Sequence, residues 1–286
     1  MSNTNFYQLT KGNLQISNGH IQFETNGAFS LLNINILNSA ERLQFSFPIF
    51  EINGKTEQLT VRFWKELNAP TLLRNGVTEY SFSGETQLNG VSLSLLLRVA
   101  DDSPVVRLKY IVNASTPITL TKFTGKDSIT YFTASFPAVT TAKEIRFSEF
   151  NEKAHATHRT EAVLSDKMFE HQLSAMGPLV VAGDDKNTFL LAYEHGSQFP
   201  DRFLEFQLHA DASISLQAVK SNYIANQVID NEHSFESIWF QIATIEGDED
   251  AMAKAYRYFV LNRFAENTES RKPYIVSERK PLFFKI

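Results

Sequence analysis

Hydrophobic and polar residues alternate along most of the chain, from about residue 13 to residue 245. This period of two is typical of β-strands, whose successive side chains point to opposite faces of a sheet. The alternating or wholly apolar segments are short and rich in Val, Ile, Phe, Tyr and Thr, which favour strands. They include HIQFET, FSLLNINIL, RLQFSFPIFEI, QLTVRFW, VTEYSFS, VSLSLLLRV, VVRLKYIV, PLVVAG, TFLLAYEH, FLEFQLH, SISLQAV and ESIWFQIATI. The pattern therefore predicts an all-β protein.

Turn signals separate these segments. They are Asn18-Gly19, Asn26-Gly27, Asn53-Gly54, Asn75-Gly76, Asn89-Gly90 and Gly183-Asp184-Asp185. Asn-Gly tolerates the positive φ angles of two-residue hairpins, so many of the strands should be antiparallel neighbours. Roughly fifteen or more strands exceed the seven to nine of a simple sandwich. We therefore expect an extended sandwich of large antiparallel sheets.

The spacing of apolar residues becomes helical in GDEDAMAKAYRYFVLNRF. One stripe collects Met252, Tyr256, Phe259, Val260 and Phe264. The acidic residues Asp248–Asp250 precede it, where the helix dipole favours negative charge. The chain is thus predicted to comprise a sandwich over residues 1–246, a connecting helix packed on it over 247–265, and a linker with a tail over 266–286.

Composition narrows the class of protein. The chain has 286 residues, of which 43% are hydrophobic and 21% charged, enough to bury a core and too apolar for a disordered chain. The net charge of −5 argues against a nucleic-acid partner, because phosphates favour basic surfaces. The absence of cysteine excludes disulfides and thiolate chemistry. We find no apolar run that would serve as a secretory signal or a membrane span, so the sequence predicts a cytoplasmic protein with no membrane partner.

A pair of histidines is the first candidate for chemistry. His155 and His158 lie in NEKAHATHRTE, with Glu152 and Glu161 nearby. Imidazoles and a carboxylate could hold zinc, but the spacing is not that of a zinc protease and the segment reads as a loop. We favour a solvated surface segment and predict no metal and no cofactor.

Paired carboxylates are the second candidate, since glycosidases use two carboxyl groups on opposite sides of a sugar. The pairs occur at Asp101-Asp102, Asp184-Asp185 and Asp248–Asp250. Neighbouring residues on a turn point apart and stay hydrated, so we predict turn and helix-capping roles and no catalytic residue among them.

A mutarotase-like enzyme would need a histidine acid and a glutamate base in one cleft. His171, His195, His209 and Glu194 could be combined in this way. Spacing along the chain does not test such a pairing, because the partners would meet only through the fold.

Both tryptophans fall on the more polar face of their predicted strands. In QLTVRFW the alternation places Leu59, Val61 and Phe63 on the face opposite Trp64. In ESIWFQIATI it places Trp239 beside Gln241. An indole in such a position packs against another layer of the protein, a partner, or a sugar ring, and we favour burial against another layer or domain.

Four segments occur in an order and spacing typical of one protein family. They are DDSPVVRLKYIVNAS, GPLVVAGDDKNTFLLAYEHGSQFPDRFLEFQL, SFESIWFQIATIEGDEDAMAKAYRYFVLNRF and SRKPYI. Together they resemble the N-terminal domain of glycoside hydrolase family 36, the α-galactosidase family, with the clearest similarity from about Gly177 to Pro273. The resemblance implies a β-supersandwich of the galactose-mutarotase type, in agreement with the strand pattern.

The resemblance also implies where catalysis takes place in that family. The domain precedes a (β/α)8 barrel, in which two aspartates carry out retaining hydrolysis, one as nucleophile and one as acid/base. After Pro273 this chain reads YIVSERKPLFFKI instead of entering a barrel strand, and neither tryptophan is followed by Asp. No catalytic residue of the family can be carried over, and we expect a truncated or stand-alone domain that is inactive alone.

The resulting hypothesis is a non-catalytic domain of carbohydrate metabolism. One alternative is a galactoside-binding module in which Trp64, Trp239 and Tyr193 contact the sugar. Another is a mutarotase-like sugar epimerase. We also expect a homo-oligomer, because the helix over 250–264 and the tail Leu282–Ile286 would expose the surface that meets the barrel in the family; light scattering would test this.

Overall fold

Two antiparallel β-sheets pack face to face in the computed structural model. The model describes residues 6–10, 12–18, 20–25, 31–36, 42–121, 129–136, 139–151, 156–164, 172–175, 177–194, 204–218 and 227–264. The predicted all-β class, with antiparallel sheets and a helix following the strands, is confirmed.

The first sheet has 13 strands within the described residues. They are β1 (Phe6–Thr10), β2 (Asn13–Ser17), β3 (Ile21–Thr25), β4 (Leu31–Ile36), β5 (Arg42–Ser46), β6 (Ile49–Ile52), β7 (Lys55–Gln58), β12 (Ile118–Thr121), β13 (Ile129–Ser135), β16 (Leu173–Ala175), β19 (Leu204–Leu208), β20 (Ile214–Ala218) and β21 (Gln227–Ile229). The main path runs β1-β2-β3-β4-β5-β13-β20-β19-β16. Strand β6 pairs with β7, β12 and β13, and β12 pairs with β21.

The second sheet has 10 strands in the same part of the chain. They are β8 (Val61–Leu72), β9 (Val77–Thr86), β10 (Val91–Ala100), β11 (Val105–Ala114), β14 (Thr141–Asn151), β15 (Ala156–Val163), β17 (Leu179–Gly183), β18 (Asn187–Glu194), β22 (Phe235–Glu236) and β23 (Trp239–Glu246). Their order is β15-β14-β17-β18-β23-β11-β10-β9-β8, with β22 paired to β11.

Several of the predicted Asn-Gly turns form hairpins. Between β6 and β7, Asn53 and Gly54 both adopt positive φ angles, of 50° and 78°. Gly76 and Gly90 also have positive φ angles and lie in the turns that connect β8 to β9 and β9 to β10. Asn26-Gly27 and Gly19 lie outside the described residues.

The core between the sheets is made by alternate residues of the strands. On β11 the side chains of Leu108, Tyr110 and Val112 point into this core, whereas Arg107 and Lys109 point to the outer face of the second sheet. The core is rich in aromatic rings, as the 12% aromatic content allows. The period of two thus places apolar side chains between the sheets and polar side chains such as Arg107 and Lys109 on the outer face.

Within the described residues, a helix, α1 (Glu249–Phe259), follows β23 and continues into a π-helical turn, Val260–Phe264. Asp248 caps it by accepting a hydrogen bond from the Ala251 amide at 2.9 Å. Met252 and Phe259 are buried in a second apolar cluster on the outer face of the second sheet, as the predicted stripe requires. No helix in the described ranges is long and apolar enough to cross a membrane. Residues 265–286 lie outside the described part of the chain.

The segment NEKAHATHRTE differs from the prediction. It was expected to be a loop, but His158 and Glu161 lie on β15, which pairs with β14 at the edge of the second sheet. An edge strand does not require the hydrophobic alternation that marks a central one, so its sequence gave no strand signal. Glu152 and His155, the other half of the metal candidate, lie outside the described residues.

Candidate functional site

Trp64 is buried in the core and does not lie on an outer face. Its indole is 2% exposed, and its ring centroid lies 5.7 Å from that of Phe47. A β-bulge between Val61 and Trp64 shifts the register against β9, so Val61 and Trp64 both point inward while Phe63 is 61% exposed. The predicted faces of Phe63 and Trp64 are therefore wrong, because the bulge inserts an extra residue into the alternation.

Close packing fixes this arrangement. Trp64 pairs with Gly84 on β9, and a Cβ atom at residue 84 would lie 2.1 Å from Val61 Cγ1. The Trp64 amide also donates a hydrogen bond to the Gly12 carbonyl, in the turn between β1 and β2, at 3.0 Å. The indole thus helps to join the two sheets, and in this structure it offers no ring face to a ligand.

Tyr193 packs against the same core from β18. Its ring lies 5.6 Å from that of Phe206, and burial raises the pKa of its phenol to about 12, with the Glu144 carboxylate adding to the rise. Glu144 is buried and accepts a hydrogen bond from the Gly177 amide. Tyr193 therefore lies on the inner face of the second sheet, apart from Trp239.

Trp239 lies on the outer face of the second sheet, as predicted, and is partly buried. Its ring centroid is 4.6 Å from the guanidinium carbon of Arg98, 5.2 Å from that of Arg107 and 6.0 Å from Lys109 Nζ. Each of these cations also pairs with a carboxylate, of Glu79, Glu194 and Glu236 respectively. We call Trp239 with these three cations the Trp239 cluster. Cation–π contacts occupy the surroundings of the ring, which a stacked sugar would have to displace.

The Arg107–Glu194 pair is the most buried part of this cluster. Arg107 donates two hydrogen bonds of 2.7 Å to the Glu194 carboxylate, and the side chains are only 6% and 14% exposed. Gln241 donates to Glu194 at 2.8 Å and accepts from the Tyr256 hydroxyl of α1 at 2.7 Å. This hydrogen-bonded chain attaches the helix to the sheet.

The same pair bears on the mutarotase alternative. Glu194 is held by Arg107 on the outer face of the second sheet, whereas His209 follows β19 of the first sheet and contacts Ser215 Oγ at 2.8 Å. The two residues are not brought together. His171 and His195 lie outside the described residues. Within the described ranges, no group of three His, Asp or Glu residues could hold a metal ion.

The aspartate pairs serve turns and the helix. Asp184 accepts hydrogen bonds from the Lys186 and Asn187 amides, which closes the turn between β17 and β18. Asp102, in the turn between β10 and β11, accepts hydrogen bonds from Arg263 and from the Tyr258 hydroxyl. This last contact fixes the end of the helical segment. It could not be predicted from the sequence, because Asp102 and Arg263 are 161 residues apart.

We expect Asp102→Asn to loosen the helical segment in a pH-dependent way. Hydrogen bonds from Arg263 lower the pKa of Asp102, with a contribution from Tyr258, while partial burial opposes the shift. Because the folded pKa lies below the unfolded value, near 3.9, the ion pair stabilises the fold above that pH and is lost as the pH falls through the folded pKa. The carboxylate is partly exposed, so the loss at pH 7 should be about 1 kcal/mol or less.

Urea unfolding of both proteins at decreasing pH measures this effect. The stability gap between the natural chain and Asp102→Asn should narrow below about pH 4. Asp101→Asn, in the same turn, is the control, since Asp101 makes no hydrogen bond within the described residues. A gap that stays constant with pH would contradict the assigned ion pair.

A polar ladder crosses the outer face of the first sheet. Gln207 donates to Glu205 and, at 2.6 Å, to Ser174, and it accepts from Gln172 at 2.8 Å. Glu205 and Gln207 are each 7% exposed. Because these groups use their hydrogen-bonding capacity on one another, the ladder is a structural feature of the sheet.

A cleft of about 730 Å³ opens at one end of the second sheet. Its walls are the ends of β9 and β10 with the turn between them (Glu85–Ser92), the end of β11 (Asn113–Ser115) and the Asp230-Asn231 turn. Sequence reasoning missed this cleft, because its parts come from separate regions of the chain and only the Asn89-Gly90 turn had been recognised.

The fold is similar to that of α-galactosidases of known structure. The galactosidase domain of an α-galactosidase–sucrose kinase aligns with a TM-score of 0.60 at 10% identity, over 90% of this chain and 44% of that chain. The family 36 α-galactosidase AgaB from Geobacillus stearothermophilus aligns with a TM-score of 0.56 at 8% identity, over 88% and 42%. The α-galactosidase from Lactobacillus brevis gives 0.51 at 9% identity, over 91% and 42%.

These similarities concern the fold alone, given the low identities. The chain spans less than half the length of each of these galactosidase chains. No protein-family model matches the sequence, and comparison with curated proteins gives no match. The sequence resemblance to the sandwich domain of family 36 α-galactosidases is thus confirmed as a similarity of fold.

Proposed function

We propose that this chain is a non-catalytic β-supersandwich domain of carbohydrate metabolism, acting in the cytoplasm in support of a sugar-processing protein. One observation carries the proposal: the fold match covers 90% of this chain but only 44% of a galactosidase chain. The chain therefore has the size and architecture of one part of such an enzyme.

Three carboxylates in the described residues form contacts that hold the fold together, which supports a non-catalytic role. Glu194 is held by Arg107, Asp102 by Arg263, and Asp248 caps the helix. A retaining glycosidase needs two carboxyl groups about 5 Å apart, one on each side of the sugar. The carboxylates named here instead stabilise the fold.

Galactoside binding through the three aromatic residues stays a prediction, which the geometry does not favour. Trp64 and Tyr193 pack against the core, and cations surround Trp239. The epimerase alternative has no support from His209 and Glu194, because Glu194 lies on the second sheet and His209 follows β19 of the first.

An assay with an aryl α-galactoside tests the proposal. We expect the purified chain to release the aryl group no faster than buffer, while an α-galactosidase of family 36, assayed in parallel, works at an ordinary enzymatic rate of about 1–1000 per second. Polarimetry of freshly dissolved α-galactose should likewise show the rate of the buffer alone. Turnover that persists through purification and co-elutes with the folded chain would overturn the proposal.

A further inference from the structure

We propose that the cleft at the end of the second sheet binds a neutral saccharide. Its volume, about 730 Å³, lies within the range of sites that hold small molecules. The inference goes beyond the supporting role proposed above, since a supporting domain need not bind sugar itself.

The first argument is the rigidity of one wall. Gly90 has a φ angle of 75°, and its carbonyl accepts a hydrogen bond from the Ser115 amide at 2.8 Å. Thr86 donates to the Val91 carbonyl at 2.9 Å. Gln87 accepts from the Thr60 amide at 2.8 Å and donates to the Gln58 carbonyl at 2.7 Å. The turn is therefore held in place before any ligand arrives, which lowers the entropic cost of binding.

The second argument is a row of polar side chains across three strands. Glu85 on β9 pairs with Ser92 on β10, and Ser92 pairs with Asn113 on β11. Side chains of directly opposed residues lie on the same face of a sheet. With strands about 4.8 Å apart, the row presents a carboxylate, a hydroxyl and an amide over about 10 Å.

The third argument is that the polar side chains of the row, and those of Asn89 and Asn231 in the adjoining turns, are not engaged with one another. Glu85, Asn89 and Asn231 are exposed, and among the described residues their side chains and that of Ser92 accept or donate no hydrogen bond, so a ligand would replace the water bound to them. Asn113 makes one long contact, from Nδ2 to Ser94 Oγ at 3.4 Å. The cleft differs in this respect from the Glu205–Gln207 ladder, whose groups bond to one another.

The chemistry of the walls selects the class of ligand. Amide and hydroxyl side chains both donate and accept hydrogen bonds, as the hydroxyl groups of a sugar do. The lining contains two carboxylates, Glu85 and Asp230, and no Lys, Arg or His. These charges disfavour phosphorylated or carboxylated ligands.

Nuclear magnetic resonance titration of the ¹⁵N-labelled chain with melibiose, a neutral α-galactoside, tests this inference. We expect saturable shifts confined to the amides of 85–92 and 113–115, with a Kd in the millimolar to high micromolar range. Galactose 6-phosphate, as an anionic probe, should bind at least tenfold more weakly.

Two matched variants locate the site. Ser92→Ala removes a hydroxyl from the row and should weaken melibiose binding about three- to tenfold. Ser83→Ala removes a hydroxyl from the strand β9 outside the cleft and should leave the affinity unchanged. Urea unfolding of both variants would show that they fold equally well.

Three outcomes would overturn the inference: no shift at tens of millimolar melibiose, shifts centred on the Trp239 cluster, or equal binding of the anionic probe. None of them bears on the hydrolysis assay. Failure of the cleft proposal can thus be distinguished from failure of the proposed non-catalytic role.

Discussion

Phe240→Ala is expected to lower the free energy of unfolding by about 3–5 kcal/mol. The Phe240 side chain is fully buried on β23. Its ring centroid lies 5.2 Å from that of Phe132, 5.5 Å from Tyr131 and 6.0 Å from Tyr110. Since Tyr131 and Phe132 belong to β13 of the first sheet, the ring joins the two sheets, and its removal leaves a cavity that neither sheet can fill alone.

Urea unfolding followed by circular dichroism measures this loss. Phe63→Ala is the matched control, because the Phe63 ring is 61% exposed and its removal should change stability by no more than about 0.5 kcal/mol. If Phe240→Ala does not fold, Phe240→Leu should still show a smaller loss in the same direction. Equal effects at residues 240 and 63 would contradict the assigned core.

Glu194→Ala should destabilise the protein by about 3–5 kcal/mol as well, for an electrostatic reason. The substitution leaves the guanidinium of Arg107, which is 5% exposed, without its carboxylate partner. It also removes the acceptor of Gln241, whose side chain holds the Tyr256 hydroxyl of α1. The outer face of the second sheet and the attachment of the helix should both weaken.

Two further variants separate charge from packing in this prediction. The double variant Arg107→Met, Glu194→Leu removes both charges and should recover most of the lost stability. Glu236→Ala breaks the Lys109 pair on the same face, where the carboxylate is 53% exposed, and should reduce stability by about 1 kcal/mol or less. A loss at Glu194 as small as that at Glu236 would show that the Arg107 pair is not buried in solution.

The strands, hairpins and helix could be predicted from the sequence, because each is specified by a pattern only a few residues long. The alternation in β23 correctly placed Phe240 toward the core and Trp239 toward the outside. The Asn53-Gly54 hairpin and the helical stripe of Met252 and Phe259 were likewise visible in the sequence. Such signals depend on backbone preference and on burial of one face.

The features that define the outer surfaces were not visible, because they depend on contacts between distant residues. The bulge before Trp64 has no signal in QLTVRFW, and it moved the indole from the predicted outer face into the core. Arg107 and Glu194 are 87 residues apart along the chain, so no spacing rule could pair them. The cleft required the register of three strands to bring Glu85, Ser92 and Asn113 into one row.

The position of β23 also bears on how the protein is made. This strand lies in the middle of the second sheet, between β18 and β11, although among the described residues it is the last strand along the chain. Until the ribosome has released residues 239–246, β11 and β18 both present unpaired edges with apolar inner faces, the kind of surface that invites aggregation. The second sheet can therefore be completed only after residue 246 has been synthesised, and we expect the nascent chain to be most prone to aggregation just before β23 emerges.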